Sequence, residues 1–110
     1  MPYDETLAAR VRALLEGEEA ISEKAMFGGL AFLLDGNMAV AASRNGGLMV
    51  RVDPAEGERL VASTVAVPMV MRGREMVGWL RVVEGLDSDA GLSAWVRRGT
   101  DYARTLPPKE

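Results

Sequence analysis

The sequence predicts an α+β fold in two layers, a five-stranded antiparallel sheet with helices packed on one face, in the order α-β-β-β-α-β-β-α. Three observations lead there. Segments near both ends repeat apolar residues at helical spacing. Five short apolar runs between them are separated by Gly, Asn and Asp at hairpin lengths. A capped, proline-led segment interrupts those runs after the third. Hairpin turns dominate, so right-handed parallel crossovers are not expected.

Taken in order, Asp4 caps a first helix with Leu7, Ala8, Val11, Leu14 and Leu15 at helical spacing, and Gly17 stops it near Glu16. An acidic turn, Gly17-Glu18-Glu19, follows. Met26 to Leu34 is apolar on both alternating faces and reads as one well-covered strand, weakened at Gly28-Gly29. Asp35-Gly36-Asn37 is a turn, Met38 to Ser43 a second strand, Asn45-Gly46-Gly47 another turn and Leu48 to Val52 a third strand, which completes a meander. Asp53-Pro54-Ala55-Glu56 combines a cap, a proline at the first helical position and an acid three residues after the cap. The short helix it opens runs to about Ala62, anchored by Leu60 and Val61. Val67 to Arg72 and Glu75 to Val83 form a hairpin about Gly73-Arg74, where glycine in first place suits a type II′ turn, and Pro68 favours an edge. Asp87 or Ser88 caps a last helix that gathers Leu92, Trp95, Val96, Gly99, Tyr102, Ala103 and Leu106 on one face and ends at Pro107-Pro108.

Strand parity assigns the faces. Three-residue loops at Asp35 to Asn37 and Asn45 to Gly47 put Leu30, Phe32, Leu34, Met38, Val40, Val50 and Val52 toward the helices. In the hairpin, Met69, Met71, Met76, Leu80 and Val82 share the face expected to be core, and Val70, Arg72, Glu75, Val77, Trp79 and Arg81 share the other. Trp95 is expected in the core.

Composition narrows the chemistry. The 110 residues carry 13 basic and 16 acidic side chains, no His and no Cys. Ser-His-Asp and Cys-His catalysis, a thiolate nucleophile, a redox pair and a cysteine-histidine zinc site are therefore excluded. The size and 48% apolar content suit a single domain over residues 1–110 with its own core. A net charge of −3 argues against grip on nucleic acid by phosphate neutralisation. Residues 24–83, with seven bases and five acids, form the only mildly basic stretch. The longest uncharged apolar run, Gly28 to Leu34, is too short to cross a bilayer, and no leader pattern precedes it, so a cytoplasmic protein is expected.

Few motifs suggest chemistry. Asp87-Ser88-Asp89-Ala90-Gly91 resembles the opening of a calcium loop, but the closing carboxylate position falls on Arg98 and the glycine comes early, so helix capping explains it. Gly28-Gly29 and Gly46-Gly47 lie outside any strand-to-helix turn and are followed by no Lys-Ser/Thr, which leaves turns and close packing. Glu18/Glu19 and Glu56/Glu58 read as solvated acids, and neither Lys24 nor Lys109 looks buried enough for a base of lowered pKa. The six internal methionines, Met26, Met38, Met49, Met69, Met71 and Met76, suit core filling first and an adaptable binding surface second. Arg51, Arg72, Arg74 and Arg81 could gather with Trp79 into a basic-aromatic patch, the plainer reading being an Arg72–Glu75 cross-strand pair.

Several strings occur in a fixed order: Ser22-Glu23-Lys24-Ala25-Met26-Phe27-Gly28-Gly29-Leu30, Asp35-Gly36-Asn37-Met38-Ala39-Val40, Leu48-Met49-Val50-Arg51-Val52, Pro68-Met69, Gly73-Arg74-Glu75-Met76 and Gly78-Trp79. Together they resemble the N-terminal domain of the TfoX/Sxy family of bacterial competence regulators, down to Trp95-Val96 and Leu106-Pro107-Pro108-Lys109. The resemblance implies a secretion-chaperone-like two-layer α+β domain. It also implies regulation with the cyclic-AMP receptor protein at promoters, although full-length members carry a C-terminal helical domain with no counterpart in these residues. Val70-Met71 stand in place of an acidic or aromatic pair, and Glu75 in place of proline. The family offers no catalytic residue to carry over.

The expected function is that of a non-enzymatic regulatory or adaptor protein without cofactor or metal. It would act through protein contacts, with transcription machinery or a second copy as partner and no direct grip on nucleic acid or membrane. The expected surface is the sheet face away from the helices: Ala31, Leu33, Ala39, Ala41, Val70, Val77 and Trp79, ringed by Arg51, Arg72, Arg74 and Arg81. The alternatives are a small-molecule or effector-binding domain, with its pocket on the methionine face or in a crevice beside Phe27, and a nucleic-acid-binding module.

Overall fold

The computed structural model describes residues 4–26, 28–44 and 46–108, the side chain of Met71 excepted. The Phe27 crevice, the Asn45 turn position, the face taken by Met71 and the setting of Lys109 lie outside the described residues. The elements are α1 (Glu5–Leu14), β1 (Ile21–Met26), β2 (Gly29–Leu34), β3 (Asn37–Ala42), β4 (Leu48–Arg51), α2 (Pro54–Ser63), β5 (Val67–Met71), β6 (Arg74–Val82) and α3 (Asp89–Thr105). One antiparallel sheet runs β1-β2-β3-β4-β6-β5, so the sheet has six strands where five were expected. Among the described residues no helix is long and apolar enough to cross a membrane.

The additional strand comes from dividing the expected Met26–Leu34 run. The chain turns at Gly28, whose φ of 77° is left-handed, and residues 21–26 fold back along β2 with Ile21 opposite Leu34 and Met26 opposite Gly29. Gly29 is required there, because a Cβ would stand 2.3 Å from the Ala42 carbonyl oxygen on β3. Ser22, Glu23, Lys24 and Ala25 are all exposed. Exposed charge is how an edge strand discourages further pairing, and it hides the strand from an apolar pattern.

The helix signals act as read. Asp4 Oδ1 accepts from the Leu7 amide at 3.0 Å, and Asp53 Oδ1 from the Ala55 amide at 2.9 Å. Ser88, rather than Asp87, caps α3, its Oγ accepting from the Gly91 amide at 3.0 Å. Each such cap is worth about 1 kcal/mol. Leu7, Val11, Leu60, Leu92, Trp95 and Val96 meet Leu30, Phe32, Val40, Leu48, Val50, Val52, Leu80 and Val82 in the main core, which places all three helices on one face. Burial of a side chain of this size contributes about 1.5–3 kcal/mol. Pro68 lies on β5, an edge strand, as its missing amide favours.

Two registers differ from expectation. The β2–β3 turn contains two residues, Asp35 (φ 52°) and Gly36 (φ 82°), and sets Leu34 opposite Asn37. Phe32 nonetheless faces Val40, so β3 carries one extra residue, Ala39. This bulge restores Val40 to the helix face, sends Met38 opposite Leu33 onto the outer face, and turns Ala39 inward against Leu34 and Ala103. Met38 and Ala39 thus exchange the faces assigned from the sequence. Asn37 is buried, and its Nδ2 donates to the Pro107 carbonyl at 2.8 Å, which ties the end of α3 to this turn.

In the second hairpin the turn is Arg72-Gly73, both left-handed (φ 54° and 77°), with Met71 opposite Arg74. The Arg72–Glu75 cross-strand pair does not form, because Val70 stands opposite Glu75 and Arg72 sits in the turn. Farther along, the register shifts between Pro68 and Val70 while Gly78 on β6 adopts φ 83°, its carbonyl accepting from the Val52 amide at 2.8 Å. Leu80 and Val82 keep the core face, but Met69 joins the outer one and Met76 is half-buried beside α2. The shared methionine core face is therefore split by the irregular strands.

Met26 on β1 and Met69 on β5 belong to opposite edges, which a flat six-stranded sheet would hold about 24 Å apart. They line the same cavity. The sheet therefore curls, with its concave side away from the helices.

Candidate functional site

Among the described residues no helix covers the concave face, yet Ala31, Met38, Ala41 and Met49 are buried there. Curvature and neighbouring side chains shield them: Met26, Leu33, Met69 and Trp79 pack around them, half-buried. Alanines at the centre and flexible thioethers at the rim leave a hollow of about 430 Å³. Met26, Ala41, Met49 and Met69 contribute its apolar lining, and Arg44, Val70 and Arg72 line it as well.

Charge is sorted between the two faces. On β1, Ile21 packs toward the helices and Glu23 meets Arg12 of α1 through bonds of 2.6 and 2.8 Å, while Lys24 stands opposite Ala31 on the outer face. The Arg12 guanidinium holds the Glu23 carboxyl below its ordinary range, against a smaller opposing effect of burial. Arg51 and Trp79 stand directly opposite on β4 and β6, and Met49 and Arg81 are the next such pair. The Arg51 guanidinium carbon lies 5.5 Å from the Trp79 ring centre and 5.7 Å from that of Tyr102 on α3, within cation–π reach of both. Arg81 Nη2 donates to the Gly46 carbonyl at 3.4 Å. Among the described residues Arg44 and Arg72 are the charged ones at the hollow itself, Lys24, Arg51 and Arg81 lie elsewhere on the same face, and Glu23 faces the helices.

Of the surface assigned from the sequence, Arg51, Trp79 and Arg81 lie on the face that carries Ala31, Leu33 and Ala41. Val70 and Val77 lie outside the apolar cluster, 55% and 77% exposed. Arg72 and Arg74 are exposed at and beside the β5–β6 turn. Missing from that assignment were Met26, Met38, Met49 and Met69. The available signal was the apolar content of both faces of the first strands, which leaves residues over once one face is core.

A second cleft of about 280 Å³ lies between α2 and β6, lined by Pro54, Gly57, Val61, Met76 and Val77 with the acids Glu58 and Glu75. Among the described residues no group of three or more acidic side chains is placed to hold a metal ion.

A curled antiparallel sheet, backed by three helices on one side, defines a small α+β domain. Residues 13–103 match the family model of the TfoX N-terminal domain, and the chain belongs to that family. No curated protein and no solved structure matches it significantly.

Proposed function

We propose that this TfoX N-terminal domain protein is a non-enzymatic regulatory or adaptor protein of the competence-regulator type, acting through protein contacts made by its β5–β6 side. One observation carries the reading. Among the described residues the exposed large apolar side chains are Leu14, Val65, Val67, Val70, Val77 and Val83, and all but Leu14 belong to residues 65–83. β5 is also an edge strand, whose outer backbone groups can pair with another chain. A second copy, joined edge to edge along β5, is the simplest partner. The absence of His and Cys from the sequence supports a role without catalysis.

Sedimentation velocity over a wide concentration range tests this. The wild type should self-associate, and a Val70→Asp/Val77→Asp variant should remain a folded monomer. A wild type that stays monomeric at millimolar concentration would remove the β5–β6 edge as a self-interface.

A further inference from the structure

We infer that the concave hollow is a binding site for a small amphipathic organic anion, its apolar body on the methionine strip and its anionic head at Arg44 and Arg72. This goes beyond the proposed adaptor role and does not rest on it.

Size and lining set the body of the ligand. A hollow of about 430 Å³ falls within the roughly 300–1,000 Å³ of small-molecule sites. Met26, Ala41, Met49 and Met69 give it an apolar strip beside the polar rim of Ser43, Arg44 and Arg72, and unbranched thioethers adjust to an extended or ring-shaped hydrocarbon.

Charge sets the head. The charged residues lining the hollow are Arg44 and Arg72, with no carboxylate among the described ones, in a chain of net charge −3. Most other arginines are occupied, and Arg74 and Arg97, which make no such contact among the described residues, lie outside the hollow. Arg10, Arg12, Arg59 and Arg104 pair with carboxylates, Arg51 and Arg98 lie over aromatic rings, and Arg81 binds a carbonyl. Arg44 and Arg72 make no such contact among the described residues. A guanidinium beside apolar surface favours an anion it can meet with two parallel bonds.

Arg44 is also placed by the fold. A Cβ on Gly28 would stand 2.7 Å from Arg44 Cδ, so the arginine stem lies across the bare glycine backbone at the β1–β2 turn. Glycine there lets the side chain reach along the rim of the hollow.

Decanoate, with decanol as its neutral counterpart, is the probe. Protein labelled with ¹³C in the methionine methyl groups would be titrated below the self-association concentration of the fatty acid. The methyl signals of Met26, Met49 and Met69 should shift saturably while that of Met76, in the other cleft, stays in place. Decanol should bind at least about tenfold more weakly, the scale of a charge-assisted hydrogen bond. Arg44→Gln/Arg72→Gln should lower decanoate to the level of decanol, with the buried Met38 methyl signal reporting an intact fold. Gly28→Ala should weaken decanoate and leave decanol unchanged. Equal binding of decanoate and decanol, an unaffected double variant, or no saturable shift at these three methyls would overturn the assignment. Because Met69, Val70 and Arg72 line the hollow and also belong to the β5–β6 side, the titration is run at a protein concentration where sedimentation shows monomer, so that failure of ligand binding and failure of self-association are read separately.

Discussion

Gly99 of α3 and Ala39 of β3 touch so closely that a Cβ on the glycine would stand 2.4 Å from the alanine carbonyl oxygen and 2.8 Å from Val40 Cγ1. The helix can therefore lie directly on the bulge that reverses the faces of Met38 and Ala39. Gly99→Ala should push α3 off the sheet. Overpacking of this kind costs about 1–3 kcal/mol, and the better helix propensity of alanine returns part of it. A net loss of about 2 kcal/mol in urea unfolding is expected, and a stabilised variant would show that the contact is loose.

Trp95 lies in the main core, 6% exposed, with the Arg98 guanidinium carbon 4.3 Å from its ring centre. Trp95→Ala should cost about 3–5 kcal/mol. A loss below about 1 kcal/mol in equilibrium unfolding would mean that α3 does not dock through this residue.

Val77 separates an interface residue from a core residue. At 77% exposure it has no burial to lose, so Val77→Asp should leave stability within about 0.5 kcal/mol of wild type. An unfolded variant, seen by circular dichroism, would return Val77 to the core and undo the β6 register.

The Arg12–Glu23 pair gives a small acid-side dependence. Its folded-state pKa is lowered chiefly by the hydrogen bond from Arg12, so the contribution to stability is present above the ordinary carboxylate range and is lost as pH falls through the folded value. Both side chains are substantially exposed, which limits the effect to about 0.5 kcal/mol. Glu23→Gln should reduce stability at pH 7 by about that amount and match wild type near pH 2. A deficit that persists at pH 2 would assign the loss to strand packing instead.

The sequence by itself determined the elements whose causes are local. Asp4, Asp53-Pro54 and Ser88 announce their helices because a cap is satisfied within three residues, and Gly36 and Gly73 mark hairpins because left-handed backbone is needed on the spot. The family was legible for the same reason, as ordered short strings. Only the tertiary structure decided the rest. Ser22-Glu23-Lys24-Ala25 becomes a strand because β2 offers a free edge to pair with, a cause located elsewhere in the chain. Met38 and Met69 reach the outer face because strand parity changes at every bulge, and these bulges lie where α3 presses on Ala39 and where β5 and β6 shift register beside Gly78. The methionine-lined hollow exists only because the sheet curls and brings Met26 and Met69 from opposite edges to one cavity, and curvature is a property of six strands together that no single strand's pattern encodes.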